Sequence, residues 1–302
     1  MKERKIASDI STAIISVFLS FALIFLMVFL CFYSSFQSVL QPKGLSNLAK
    51  NIGYAELMSD NAQIKNAFAG YGVNEQNASD FLTSKAVEDA CALYSQDIFA
   101  ALDGDVKSES KFTIKNVQSA LAVNLDSMVD AVYNENSKAG DRITTEKRVV
   151  ATIKKIDKKF INSVPSKKKL AKDAQNSDLW WILSTFNSSL KDIILIVIII
   201  IIAAIFVLRF YKLGGFLWLS TAFLITTAVL ATVMILCITG VMNYFFSMFI
   251  GNMASNAFVL VFSEGIISGC LLTFAVGIAM ILVYVLLKKR FFKKENEITE
   301  IE

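Results

Sequence analysis

Histidine is absent from all 302 residues. That absence excludes imidazole-based catalytic triads, zinc or haem held by histidine, and pH sensing by an imidazole. Charge is scarce: 19% of residues are charged and 55% are hydrophobic, where a soluble domain carries about a quarter charged. An ordinary cytosolic enzyme does not have that balance, and the apolar excess is concentrated in a few long uncharged runs. Of the four cysteines, Cys31, Cys237 and Cys270 belong to those runs, leaving Cys91 alone in the polar part with no partner for a disulfide. Phosphate-binding loops, dinucleotide fingerprints, nucleophile elbows, paired cysteines and metal-ligand spacings are all missing from the sequence. The expectation is a protein that is not an enzyme and uses no cofactor.

What is present reads as an all-α integral membrane protein. A span needs roughly 20 mostly apolar residues, because each rises about 1.5 Å through a hydrocarbon layer about 30 Å thick. Four segments meet or approach that length without a charged side chain: 10–33, 193–208, 217–238 and 266–287. The first has the basic start of a signal peptide, but its apolar stretch is too long and lacks a small-residue cleavage site, so it is read as a retained anchor. Cys31 follows Leu30, where a lipoprotein would need a small residue.

Lys and Arg near span ends set the orientation. Three clusters agree on the cytoplasmic side: Lys2, Arg4 and Lys5 in the 1–9 terminus, Arg209 and Lys212 in the 209–216 turn, and Lys288, Lys289 and Arg290 opening the 288–302 tail. The expected protein lies in the plasma membrane with both termini inside, an extracytoplasmic domain at 34–192, and a second outer loop at 239–265. A fifth span within that loop would carry the basic tail outward, and Asn243, Asn252 and Asn256 also argue against it.

The 34–192 segment shows three amphipathic stretches at i, i+3, i+4 spacing. The first carries Leu82, Ala86, Ala90, Leu93 and Ile98 after cap-forming residues at 77–80. The second carries Ile114, Val117, Leu121, Met128 and Val132 after Thr113. The third carries Val149, Ile153, Ile156, Phe160 and Val164 after Thr144 and Thr145, and is stopped by Pro165. A fourth, with Trp180, Leu183, Phe186 and Leu190, predicts a stalk helix running into the second span. Cys91 falls on the apolar face of the first stretch.

Charge in this domain is segregated. Residues 33–135 hold 7 Lys plus Arg against 13 Asp plus Glu, and residues 136–178 hold 12 against 5. Lys154, Lys155, Lys158, Lys159, Lys167, Lys168 and Lys169 are therefore candidate contacts for lipid headgroups or a surface polyanion. The plainer alternative is a solvated surface of mixed charge.

In the fourth span Gly265, Gly269, Thr273 and Gly277 recur every four residues, a stripe of small residues that lets another helix approach closely. Ser220, Thr227 and Ala231 in the third span are possible partners. Carboxylate-driven transport is not expected, since no span contains an ionisable residue; Glu264 sits at the outer edge of the fourth. The 239–265 loop, rich in Phe, is expected to form a short helical hairpin lying in the interface or packed under the helical domain, with a re-entrant pore loop as the alternative.

The order of one span, a large outer domain and three more spans is similar to that of FtsX-type permease subunits, which transmit an ATPase's work to an outer partner. The front half also resembles that of a chemoreceptor. The Lys-, Ile- and Asn-rich usage and disulfide-free exterior look bacterial. The leading expectation is a non-enzymatic protein whose outer domain senses, binds or scaffolds at the cell surface; a permease-like or accessory subunit of a transport or export complex is the second. Its expected partners are the lipid bilayer and another membrane or cell-surface protein, a second copy included, with no specific nucleic-acid binding.

Overall fold

A computed structural model of the chain describes residues 2–59, 62–133, 141–176, 190–209, 213–250 and 252–299. These residues are all helical in their regular structure, with no strand among them. In chain order the helices are α1 (Lys2–Leu40), α2 (Pro42–Ile52), α3 (Tyr54–Ser59), α4 (Ala62–Tyr71), α5 (Ala78–Leu82), α6 (Lys85–Leu102), α7 (Ile114–Val123), α8 (Leu125–Val132), α9 (Arg142–Lys154), α10 (Lys158–Ile161), α11 (Lys167–Asn176), α12 (Leu190–Leu208), α13 (Gly214–Ile238), α14 (Val241–Ile250) and α15 (Asn252–Thr299). They divide into two compact units, one made of Met1–Ser34, Ser189–Ile238 and Ser263–Glu302, the other of Ser35–Ser188 and Thr239–Phe262.

The first unit holds most of the long apolar helices. Among the described residues three segments are long and apolar enough to cross a membrane: Ser11–Leu40, Gly214–Ile238 and Ser255–Arg290. Asp192–Leu208 is a shorter apolar helix. The 48 residues of α15 measure about 72 Å at a rise of about 1.5 Å each, more than twice the hydrocarbon thickness, so a single crossing uses only part of it. On α12, Ile194, Ile198, Ile201 and Ile205 are buried at helical spacing, while Ile196, Ile199, Ile200 and Val207 are more than half exposed. Phe18, Phe21 and Phe25 on α1 and Leu271, Leu272, Leu282 and Leu286 on α15 are likewise exposed. Apolar surface this continuous is not stable in water, and a hydrocarbon solvent accommodates it.

The second unit is built like a water-soluble helical domain. Its main core gathers Phe81, Met128, Val117, Val129, Val149 and Ile153, and burying each such side chain stabilises the fold by roughly 1.5–3 kcal/mol. A smaller cluster joins Ile98, Ala101 and Leu102 to Leu170 and Ala171. Gly72 occupies a left-handed turn at φ +84° with the Arg148 guanidinium against it, so a side chain there would be strained. Phe36 contacts the rings of Phe246, Phe258 and Phe262 at 5.1–5.7 Å, which brings the aromatic part of the 239–262 segment into this unit. That segment is helical, as α14 and the start of α15.

The three amphipathic stretches are each split once. The first breaks at Thr83–Ser84, where the Thr83 hydroxyl donates to the Ser79 carbonyl (2.8 Å) and the Ser84 hydroxyl to that of Phe81 (2.6 Å). The second breaks at Asn124, and the third after Lys154. There Asp157 accepts the amides of Lys159 and Phe160 at 2.9 and 3.0 Å, starting α10 before Pro165 is reached. Each break carries a residue able to satisfy backbone groups that the helix would otherwise use. Thr113 caps α7 as expected, accepting the Asn116 amide at 3.3 Å. The cap of α9 is Asp141, accepting the Thr144 amide at 2.8 Å, and not Thr144 or Thr145. The stalk expected across Trp180, Leu183 and Phe186 lies outside the described residues.

Candidate functional site

The second unit carries two adjoining cavities. The first, a cleft of about 260 Å³, is organised by a buried carboxylate. Asp97 on α6 is 2% exposed and accepts hydrogen bonds from the Ser110 hydroxyl, the Lys111 amide (2.7 Å) and the Phe112 amide (3.1 Å). Three donors offset the desolvation of a buried charge and pin the 103–113 connection against α6. The opposite wall is set by Lys167, whose ammonium donates to the Ser108 hydroxyl and to the Ser108 carbonyl (3.2 Å), with Asp105 at 3.8 Å. Hydrogen bonds from the Ser108 hydroxyl and amide, with a smaller contribution from Lys167, hold the Asp105 carboxyl below its ordinary value. Asn162, Ser166 and Lys168 complete the polar rim.

The second cavity, about 210 Å³, is apolar. Phe68, Phe81, Met128, Leu121 and Phe160 line it, with Cys91 at its wall. Burial pushes the Cys91 thiol up to about 12, so it remains a neutral, unreactive group at physiological pH. Tyr71, 3% exposed, also lines this chamber, and its hydroxyl has no hydrogen-bond partner among the described residues. Tyr94, Phe112 and Val164 line both cavities. Tyr94 packs on Phe112 at 5.3 Å and donates to the Pro165 carbonyl at 3.1 Å. Its hydroxyl is pushed up to about 12 by burial, with the Asp97 charge adding.

The expected headgroup or polyanion contacts separate into two kinds. Lys154, Lys155, Lys158, Lys159, Lys168 and Lys169 are exposed, whereas Lys167 is buried and committed to Ser108 and Asp105. Lys167 is therefore a cleft-building residue and not a surface contact. The basic segment meets the acidic one at Arg142, whose guanidinium reaches Asp126 at 3.1 Å and Asp130 at 2.8 Å. All three side chains are exposed, so the pairing adds little stability.

Within the first unit, the small-residue stripe on α15 faces hydroxyl-bearing positions of α13. The Ser220 hydroxyl donates to the Gly277 carbonyl at 3.0 Å, and the hydroxyls of Thr227 and Thr273 lie 2.9 Å apart. A Cβ on Gly269 would stand 2.8 Å from the Cys31 sulfur, and one on Gly277 would stand 3.0 Å from Leu224. Close approach with hydrogen bonding across the gap is how helices associate where lipid supplies no hydrophobic drive. Gly265 lies in the same helix and is half-buried.

Of the topology residues, Arg209 donates from Nε to the Ser16 hydroxyl at 2.9 Å and lies 4.8 Å from the Trp218 ring centroid. Lys288 lies over Tyr284 at 5.5 Å, and Lys289 and Arg290 are exposed. Lys2, Arg4 and Lys5 fall within α1, and Lys212 is outside the described residues. Among the described residues, no group of three acidic or cysteine side chains is placed to hold a metal ion.

Among the described residues the architecture defines a class, an all-helical protein with three apolar helices of membrane-crossing length. In comparisons with known proteins, no family model, no curated protein and no solved structure matches this chain.

Proposed function

We propose that the chain is a four-span bacterial plasma-membrane protein with both termini in the cytoplasm, and that its 34–192 domain works outside, binding or scaffolding at the cell surface without catalysing a reaction. The observation that carries this reading is the contrast between exposed Phe, Leu and Ile along α1, α12 and α15 and the capped, charged helices around a closed core in the second unit. The fourth span rests on α12. Its 19 residues extend about 28 Å, close to the hydrocarbon thickness, and beyond Asp192 its exposed face is apolar, with Ile196, Ile199, Ile200 and Val207. The orientation rests on the three basic clusters. The binding role rests on the cleft and chamber, where buried charges are spent on holding a cavity open.

Photocrosslinking from Lys155 and Lys158 on intact cells, followed by mass spectrometry, tests the surface role. Capture of a cell-surface protein or of a second copy is the expected result. Recovery of a cytoplasmic ATPase with the full chain from gentle detergent, and no surface crosslink, would overturn it in favour of a subunit of a transport or export complex.

A further inference from the structure

The geometry points to a specific class of ligand for the outer domain: an anionic single-chain amphiphile, its chain in the apolar chamber and its acidic head in the adjoining cleft beside Lys168. This deepens the proposed binding role and rests on it.

The chamber is the first reason. Its wall is almost wholly carbon, built from Phe, Leu and Met side chains of α4, α5, α7, α8 and α10. A buried water needs two to four polar partners. The Tyr71 hydroxyl, itself unpartnered, is too little to hold one. A dry apolar cavity of about 150 Å³ is already enough to bind a benzene-sized molecule, so about 210 Å³ accommodates a short run of methylenes.

The second reason is what adjoins the chamber. The cleft shares Tyr94, Phe112 and Val164 with it, so the two volumes meet at one wall and together fall in the size range of ligand pockets, roughly 300–1,000 Å³. Charge decides the head. The Asp97 carboxylate is already saturated by three donors, and the Lys167 ammonium by Ser108 and Asp105. Lys168 is the exposed cation on the cleft's rim, with Lys169 and Lys172 following in sequence. An ammonium beside neutral Asn162 and Ser166 suits a carboxylate or a phosphate and disfavours a cationic head.

Equilibrium dialysis of radiolabelled octanoate against the full chain in nanodiscs, with empty nanodiscs subtracted, tests this. Saturable uptake of one octanoate per chain is expected. Lys168→Glu should weaken it at least tenfold while leaving uptake of octanol, which has no charge, unchanged. Ala90→Phe, filling the chamber, should abolish both; Cys91→Leu is the milder filler should that variant fail to fold, and should reduce both. No saturable uptake, equal loss of octanoate and octanol in Lys168→Glu, or undiminished uptake by a folded filled variant would each overturn the proposal. So would glycerol phosphate binding as tightly as octanoate, since that marks a headgroup site without the chamber. Native mass spectrometry of the purified chain separates the two natural sources, a free fatty acid and a lysophospholipid, by the added mass. If octanoate fails to bind while a thiol at Lys107 is labelled from outside the cell, this inference falls and the outer-domain reading stands. If binding succeeds while Lys107 is reached only from inside, the reverse holds.

Discussion

In the first unit, many apolar side chains point outward and α13 meets α15 through glycine, serine and threonine; in the second, aromatic and branched side chains point inward and the outside is charged. The same helix-forming chemistry is thus solved for two solvents. Where hydrocarbon surrounds the helices, burying another leucine gains little, so contact depends on close approach at Gly269 and Gly277 and on the Ser220 and Thr227 hydroxyls. Where water surrounds them, burial of Phe81, Met128 and Val117 supplies the drive, and helix ends are closed by Thr113, Asp141 and Asp157.

Asp97→Ala removes the buried acceptor of the Ser110 hydroxyl and of the part-buried Lys111 and Phe112 amides and should lower the stability of the second unit by about 3 kcal/mol. Denaturant unfolding would measure the loss, and hydrogen exchange would show those two amides losing protection. The helix seam of the first unit should be unaffected. Gly269→Leu does the converse: overpacking against Cys31 should cost about 2 kcal/mol and abolish a disulfide crosslink between Thr227→Cys and Thr273→Cys, with the second unit's unfolding unchanged.

Smaller effects sharpen the picture of the chamber. The Cys91 thiol is held near 12 in the fold against an ordinary value of 9.0. Above pH 9 the unfolded chain therefore releases a proton that the folded one keeps, and stability falls as pH rises. Between pH 9 and 10 the loss should be about 1 kcal/mol, and Cys91→Ala should remove it from the pH profile. Tyr71→Phe removes a buried hydroxyl that has no partner and should raise stability by up to about 1 kcal/mol, measured by thermal unfolding of the ligand-free protein.

Much of this contrast is legible in the sequence, because hydropathy and period are local. Uncharged runs mark the apolar helices, and Leu82, Ala86, Val117, Leu121, Met128, Val132, Val149, Ile153 and Ile156, picked out by spacing alone, all enter the main core. The breaks at Ser84, Asn124 and Asp157 are not legible, since the apolar period runs on across each one while a side chain takes over the backbone's hydrogen bonds. Helices α2, α3 and α4 are not among the stretches that the spacing picks out. The cleft is harder still. Lys167 looks like its neighbours Lys168 and Lys169 in sequence, and only the fold shows that it is buried against Ser108, a residue 59 positions away.

Thiol labelling distinguishes the two possible orientations of the second unit. In a variant lacking the native cysteines, a single thiol placed at Lys107, an exposed position of the second unit, or at Lys289 would be offered a membrane-impermeant maleimide on intact cells. Labelling at Lys107 without permeabilisation, and at Lys289 only after it, is the expected result. Labelling of Lys289 on intact cells with Lys107 protected would contradict it.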